Sequence, residues 1–217
     1  MKTKLFLILP LIALFAFTGC NEDDTVMESQ YKRDRADFNN KPGDKTILAI
    51  VENSIETTGE FSSLAAAIGY VDDELGAGLG NAIASNDLQL TVFAPTNEAF
   101  GGLLEALEIE LELDPGSLEL TDIPAPIVLT VLQYHLTNGR RASNSVVPSN
   151  DRNTKTIQTF LEGASFEVAK GTPPMIIAGG NTANIVAPNI SASNGVIHVI
   201  DEVILPIPVA DVVALLP

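Results

Sequence analysis

From Lys45 onward the apolar positions first recur at helical spacing and later alternate, and that switch organises the chain. Ile47, Ile50, Val51 and Ile55 share one helical face, with Asp44 placed to cap it. Phe61, Leu64, Ala65 and Ile68 form a second stripe that should end at Gly69. Residues 71–87 show no decided period. Their GAGLG run (Gly76, Gly78, Gly80) lacks the G-x-G-x-x-G spacing, a following lysine and a preceding strand. It reads as a glycine-rich helix or loop rather than a phosphate loop. Leu88–Ala94 predicts a strand stopped by Pro95. Thr96 is then an N-cap, and Glu98 complements the positive end of the helix dipole. Phe100, Leu103, Leu104 and Leu107 line one face of that helix, which Gly101 and Gly102 weaken by about 1 kcal/mol each.

The acidic run EALEIELELDPGSLEL, from Glu105 to Leu120, has no metal-ligand spacing and reads as a solvated face. Pro124 and Pro126 open a helix through Ile127, Val128, Val131 and Leu132 to Tyr134, His135 and Leu136, which Gly139 should terminate. Short β-type runs follow at Lys155–Phe160, Ser165–Val168, Met175–Ala178, Asn184–Val186 and Gly195–Leu205, separated by turn formers. Helices first and meandering strands afterwards predict an α+β fold in a single domain.

The last run, NGVIHVIDEVILP (Asn194–Pro206), opens on Asn194-Gly195, a type I′ turn signal that calls for positive φ. Ile197, Val199, Val203 and Leu205 then share one face by period two, with Asp201 among them. Val196, His198, Ile200, Glu202 and Ile204 share the other. A strand apolar on both faces is central, and a histidine there is expected to be neutral with both ring nitrogens hydrogen-bonded. His135, at a helix end, is the more exposed candidate.

The first 44 residues have a different character. MKTKLFLILPLIALFAFTGC has a basic start, an apolar run from Leu5 to Phe17, and Thr18-Gly19 before Cys20. The run is shorter than the ~20 residues a bilayer span requires, so 1–19 reads as a secretory signal peptide. Cys20 is the only cysteine, which leaves no intramolecular disulfide. The segment resembles a bacterial lipobox, with Phe17 in place of the usual Leu. That resemblance implies an acylated Cys20 as the first mature residue and a durable lipid anchor. Residues 20–44 then form a charged, disordered tether with a reach of roughly 25–30 Å. Its opening Asn21-Glu22-Asp23-Asp24 resembles the export signal of surface lipoproteins in the Bacteroidetes group, implying display on the outer membrane.

The chain has 217 residues, 46% hydrophobic, and a formal charge of −16 that becomes −18 once Lys2 and Lys4 are removed. Such a surface repels phosphate backbones, so nucleic acid is not an expected partner. Two histidines and no free cysteine give no zinc set, and Gly163-Ala164-Ser165-Phe166-Glu167 lacks the final glycine of a nucleophile elbow. No metal, cofactor or catalytic residue is therefore expected.

TVFAPTNEAF (Thr91–Phe100) and NGVIHVIDEVILP resemble the two signature blocks of the fasciclin domain. QYHL (Gln133–Leu136) matches that family's Tyr-His motif, IQTFLEGASFEV (Ile157–Val168) its hairpin, and TILAIVENS its start. The resemblance spans 45–206, leaving 207–217 as an apolar C-terminal tail that should pack back on the domain. It implies a β-wedge or sandwich with packed helices, in which Thr96, Phe100, Asn194, Gly195, His198 and Asp201 are structural signature positions. It also implies a non-enzymatic adhesion or extracellular-matrix module with a protein or polysaccharide ligand. In animal members the Tyr-His motif and an Asp-Ile pair are assigned to integrin binding. Tyr134, His135, Asn189 and Ile190 stand at those positions here, so the acidic residue is missing. The alternative is a glycan- or small-ligand-capturing surface module, which the absence of Trp disfavours.

Overall fold

The structure, a computed structural model, describes residues 43–216. The signal peptide, Cys20 and nearly all of the tether lie outside the described residues. Three helices come first: α1 (Ile47–Thr57), α2 (Ser62–Leu75) and α3 (Leu79–Ala84). Strand β1 (Leu90–Pro95) and helix α4 (Asn97–Glu110) follow, then a 3₁₀ turn (Leu120–Asp122) and α5 (Ala125–Tyr134). Next are β2 (Leu136–Asn138), the short α6 (Ser143–Val146), β3 (Thr154–Gln158), β4 (Ser165–Ala169) and β5 (Met175–Ile177). β6 (Thr182–Ala192), β7 (Gly195–Ile200) and α7 (Val209–Val213) complete the chain. The fold is α+β, as the periodicity predicts.

The seven strands form one mixed sheet in the order β2-β1-β7-β6-β5-β4-β3. Only β1 and β7 run parallel; the other neighbours are antiparallel. The sheet curls until its two edges meet. Phe160, just beyond β3, donates its N–H to Leu136 O of β2 at 2.8 Å, and Thr137 Oγ1 donates to Gln158 O at 2.6 Å.

Two hydrophobic clusters lie on opposite faces of the central strands. Leu90, Val92 and Ala94 of β1 and Ile197 and Val199 of β7 pack against the helices. Phe93 and Ile200 point into the curl of the sheet with Tyr134, Phe166 and Ile185. Both faces of β7 are therefore covered, which is why its sequence is apolar at every position but His198.

Several boundaries differ from the sequence reading. Thr46, not Asp44, caps α1, accepting from Ala49 N–H at 3.3 Å. α2 does not stop at Gly69; it continues to Leu75, because Val71 is buried and Gly76 supplies the left-handed cap at φ 60°. α5 ends at Tyr134 rather than near Gly139, because Leu136 starts a strand whose backbone pairs with β1. β7 stops at Ile200, short of Leu205. Asp201 leaves the ladder to accept from Asn184 N–H at 2.7 Å and Asn184 Nδ2 at 2.9 Å. The alternation nevertheless persists past the strand: Val203 and Leu205 join the helical cluster and Ile204 the other.

Candidate functional site

The Tyr-His motif is buried. Tyr134 is 1% exposed and His135 2%. The Tyr134 hydroxyl donates to Ser165 O at 3.0 Å and accepts from Gly179 N–H at 3.3 Å, and burial pushes its pKa up. Nδ1 of His135 donates to Val131 O at 2.7 Å, within its own helix. Nε2 accepts from Ile204 N–H at 3.1 Å. The expectation of an exposed His135 is corrected: the chain turns inward after α5 to build β2, and the helix end faces the core. Neither side chain offers surface to a partner.

His198 is wired in the opposite tautomer. Its Nε2 donates to Arg141 O at 2.9 Å and its Nδ1 accepts from Asn189 N–H at 3.2 Å. Each histidine thus joins one backbone acceptor to one backbone donor. Burial lowers both pKa values from 6.5 to about 4, against a smaller opposing effect of the bonds to Val131 and Arg141, so both rings are neutral near pH 7. The His198 ring lies 5.4 Å from that of Phe93, which meets Phe166 edge to face at 5.0 Å.

Asn189 occupies a bulge in β6 at φ 69°, a left-handed conformation that asparagine tolerates. Its Oδ1 accepts from Ser143 N–H at 2.7 Å and its Nδ2 donates to Ser143 Oγ at 2.8 Å. Ile190 beside it is half-buried and packs against the helical cluster. The structure brings Asn189 to His198 and Ser143, and Tyr134 to Phe166. The four residues singled out for partner binding do not form one exposed patch.

Asn194 and Gly195 have a role different from the type I′ turn expected of them. The turn is Ser193-Asn194, and positive φ is found at none of residues 193–195. Asn194 is fully buried; its Oδ1 accepts from Ile47 N–H at 2.9 Å, and its Nδ2 donates to Ile83 O at 2.7 Å and Ser85 O at 2.8 Å. One amide therefore ties α1, α3 and β7 together. A Cβ on Gly195 would stand 2.0 Å from Leu90 O, so glycine is required by the close approach of β1.

The remaining signature residues are helix starts and core. Thr96 Oγ1 accepts from Ala99 N–H at 3.1 Å, and Phe100 is buried in the helical cluster. Asn97 beside it carries a second cap that the sequence reading missed: its Oδ1 accepts from Ser63 N–H at 2.9 Å at the start of α2. Glu108 was also missed inside the acidic run. It is buried, accepting from Leu118 N–H at 2.8 Å and Gly116 N–H at 2.9 Å, which holds its carboxyl below the usual range. The Asp-Pro-Gly turn that follows it was the available signal. In the glycine-rich run, Asp72 accepts from Leu79 and Gly80 N–H at 2.7 and 2.8 Å, so a carboxylate of the protein fills the place an anion would take. Arg140 Nη1 donates to Ala192 O and Gly195 O, each at 2.7 Å, and Nη2 to Ser191 Oγ, bracing the β6–β7 hairpin.

Among the described residues no group of three or more His, Cys, Asp or Glu is placed to hold a metal ion, and no helix is long and apolar enough to cross a membrane. Outward-facing apolar side chains on the sheet are Met175, Ile177 and Val186, set among Thr154, Thr156, Thr182 and Asn184.

The fasciclin-domain model matches residues 59–206, and the chain belongs to that family. Protein sll1483 of Synechocystis sp. is 32% identical over 146 residues, covering 67% of each chain. Human periostin is 27% identical over 156 residues, 72% of this chain but 16% of periostin. Immunogenic protein MPB70 of Mycobacterium bovis is 31% identical over 121 residues, 56% of this chain and 52% of that one. Among solved structures, a FAS1 domain pair from the insect cell adhesion molecule fasciclin I covers 65% of this chain and 44% of that chain, at 21% identity and a TM-score of 0.46. The family match begins at residue 59, yet α1 belongs to the same core through Ile47 and Val51.

Proposed function

We propose that this fasciclin-domain protein is a non-enzymatic module of a bacterial envelope, anchored by acylated Cys20, displayed on the outer membrane, and mediating adhesion or matrix contact. The observation that carries this reading is how the family's buried polar side chains are used. Tyr134, His135, Asn194 and His198 each hold backbone groups from distant segments, so contact with a partner falls to surface shape. The helical part adds a constraint on that partner. Lys45 is the one Lys or Arg between residues 43 and 139, so this layer is strongly acidic and repels polyanions.

Labelling cells with an alkyne-tagged fatty acid tests the anchor: the intact chain takes up label and Cys20→Ala does not. Antibody labelling of intact cells, with an attachment assay on a deletion strain, tests display and adhesion. Unlabelled cells and unchanged attachment would contradict both. A glycan array separates this reading from ligand capture, since a specific saccharide hit would favour a capturing module.

A further inference from the structure

Leu132 and His135 on α5 separate two apolar voids. One, of about 30 Å³, lies between α4, α5 and α7, with Phe100, Leu107, Val128, Val131 and Val212 in its wall. The other, of about 20 Å³, lies on the side of α1 to α3, against Val51, Leu64 and Ile68. His135 is the only non-apolar residue lining either void, and both its ring nitrogens are already bonded. Voids without polar partners stay dry and accept apolar guests.

The cover of the larger void is distinctive. Ile207, Val209, Val212, Val213 and Leu216 pack on the helical cluster. Among the described residues, the hydrogen bonds of 208–216 all close within that segment, such as Val212 N–H to Pro208 O at 3.1 Å and Ala214 N–H to Ala210 O at 3.2 Å. This strap is therefore held down by apolar contact alone. The resting void is far smaller than the ~150 Å³ cavity that accepts benzene, so a guest must lift Val212 to enter.

The rim is acidic. The Glu202 carboxylate lies against Gly102 of α4, and the adjoining Leu103 and Val203 both wall the void. Glu202 feels Asp201 and Glu98, and Asp211 stands beside Val212 on the strap. An anionic head group would meet carboxylates there.

We propose that the strap carrying α7 is a displaceable cover over a site for a single alkyl chain, whose acidic rim selects an amphiphile with a cationic or uncharged head group. The site is independent of any adhesive surface. Titration calorimetry on the chain carrying Cys20→Ser, which keeps any acyl group of its own out of the measurement, tests it. The probes are decyltrimethylammonium, decyl maltoside and decanoate, each below its micelle concentration. The first two should bind one per chain, with decanoate at least about tenfold weaker. Binding should speed amide exchange in residues 207–216. Val128→Phe, which fills the void, should weaken binding at least about tenfold without lowering the melting temperature. Val131→Leu serves if Val128→Phe does not fold. No binding by either preferred probe, equal binding by the filled variant, or decanoate as the tightest ligand would overturn the proposal.

Discussion

Ile204 donates its backbone N–H to Nε2 of His135 at 3.1 Å, across 69 positions of the chain. His198 does the same kind of work between Asn189 and Arg141 in the other tautomer. Both histidines are staples between segments that regular hydrogen bonding leaves unjoined. Removing either ring strands one backbone donor and one acceptor in the core. His198→Ala should therefore cost about 3 kcal/mol of unfolding free energy, read from urea denaturation. Retained stability in His198→Ala would show that water or a neighbour replaces the ring.

The same two rings set an acid limit. Each is neutral when folded, with a pKa lowered to about 4 by burial, against 6.5 ordinarily. Between those values the unfolded chain binds protons that the folded chain does not, so stability rises with pH. It is complete above about pH 6.5 and falls toward pH 4, by about 3 kcal/mol per histidine. Glu108, held below the usual carboxylate range by Leu118 and Gly116, loses stability in the same direction on further acidification. Glu202, pushed up by burial, Asp201 and Glu98, works against this trend. Urea midpoints at pH 7, 5 and 4 should fall in that order, and a flat series would contradict the burial of neutral histidines.

Asn194 concentrates more joints in one side chain than any other residue described above. Asn194→Ala leaves Ile47 N–H, Ile83 O and Ser85 O without their partner, at a cost of about 3 kcal/mol. Asn194→Asp keeps the acceptor for Ile47 but sets a carboxylate against two carbonyls, so it should rescue little. Gly195→Ala meets Leu90 O at 2.0 Å and should not yield a folded chain. Circular dichroism on the three variants decides this.

Glu108 is a local counterpart. Glu108→Ala should speed amide exchange at Gly116 and Leu118 while leaving β7 protected. Unchanged exchange at those two amides would mean the loop holds itself.

Much of this architecture is legible in the sequence, and the parts that are not have physical causes. Alternation in β7 identifies a strand covered on both faces, and the Thr96 cap follows from side-chain chemistry alone. β6 is longer than its apolar run because Pro188 and Asn189 sit in a bulge, where a missing donor and a left-handed residue are tolerated. β2 has only three residues, too few for a period, and exists because β1 offers it partners. The burial of Tyr134 and His135 is likewise tertiary: nothing local shows that the sheet will close over the end of α5. Glu108 lies within a run of acids, and only the fold distinguishes it from its solvated neighbours.

The most direct test is to measure stability and attachment in parallel on Tyr134→Phe, which removes one hydroxyl and no packing. The hydroxyl holds Ser165 O and Gly179 N–H. The expected result is a loss of about 1 kcal/mol in unfolding free energy, with attachment per folded molecule unchanged. Full stability with attachment abolished would contradict it, and would return the Tyr-His motif to the partner interface.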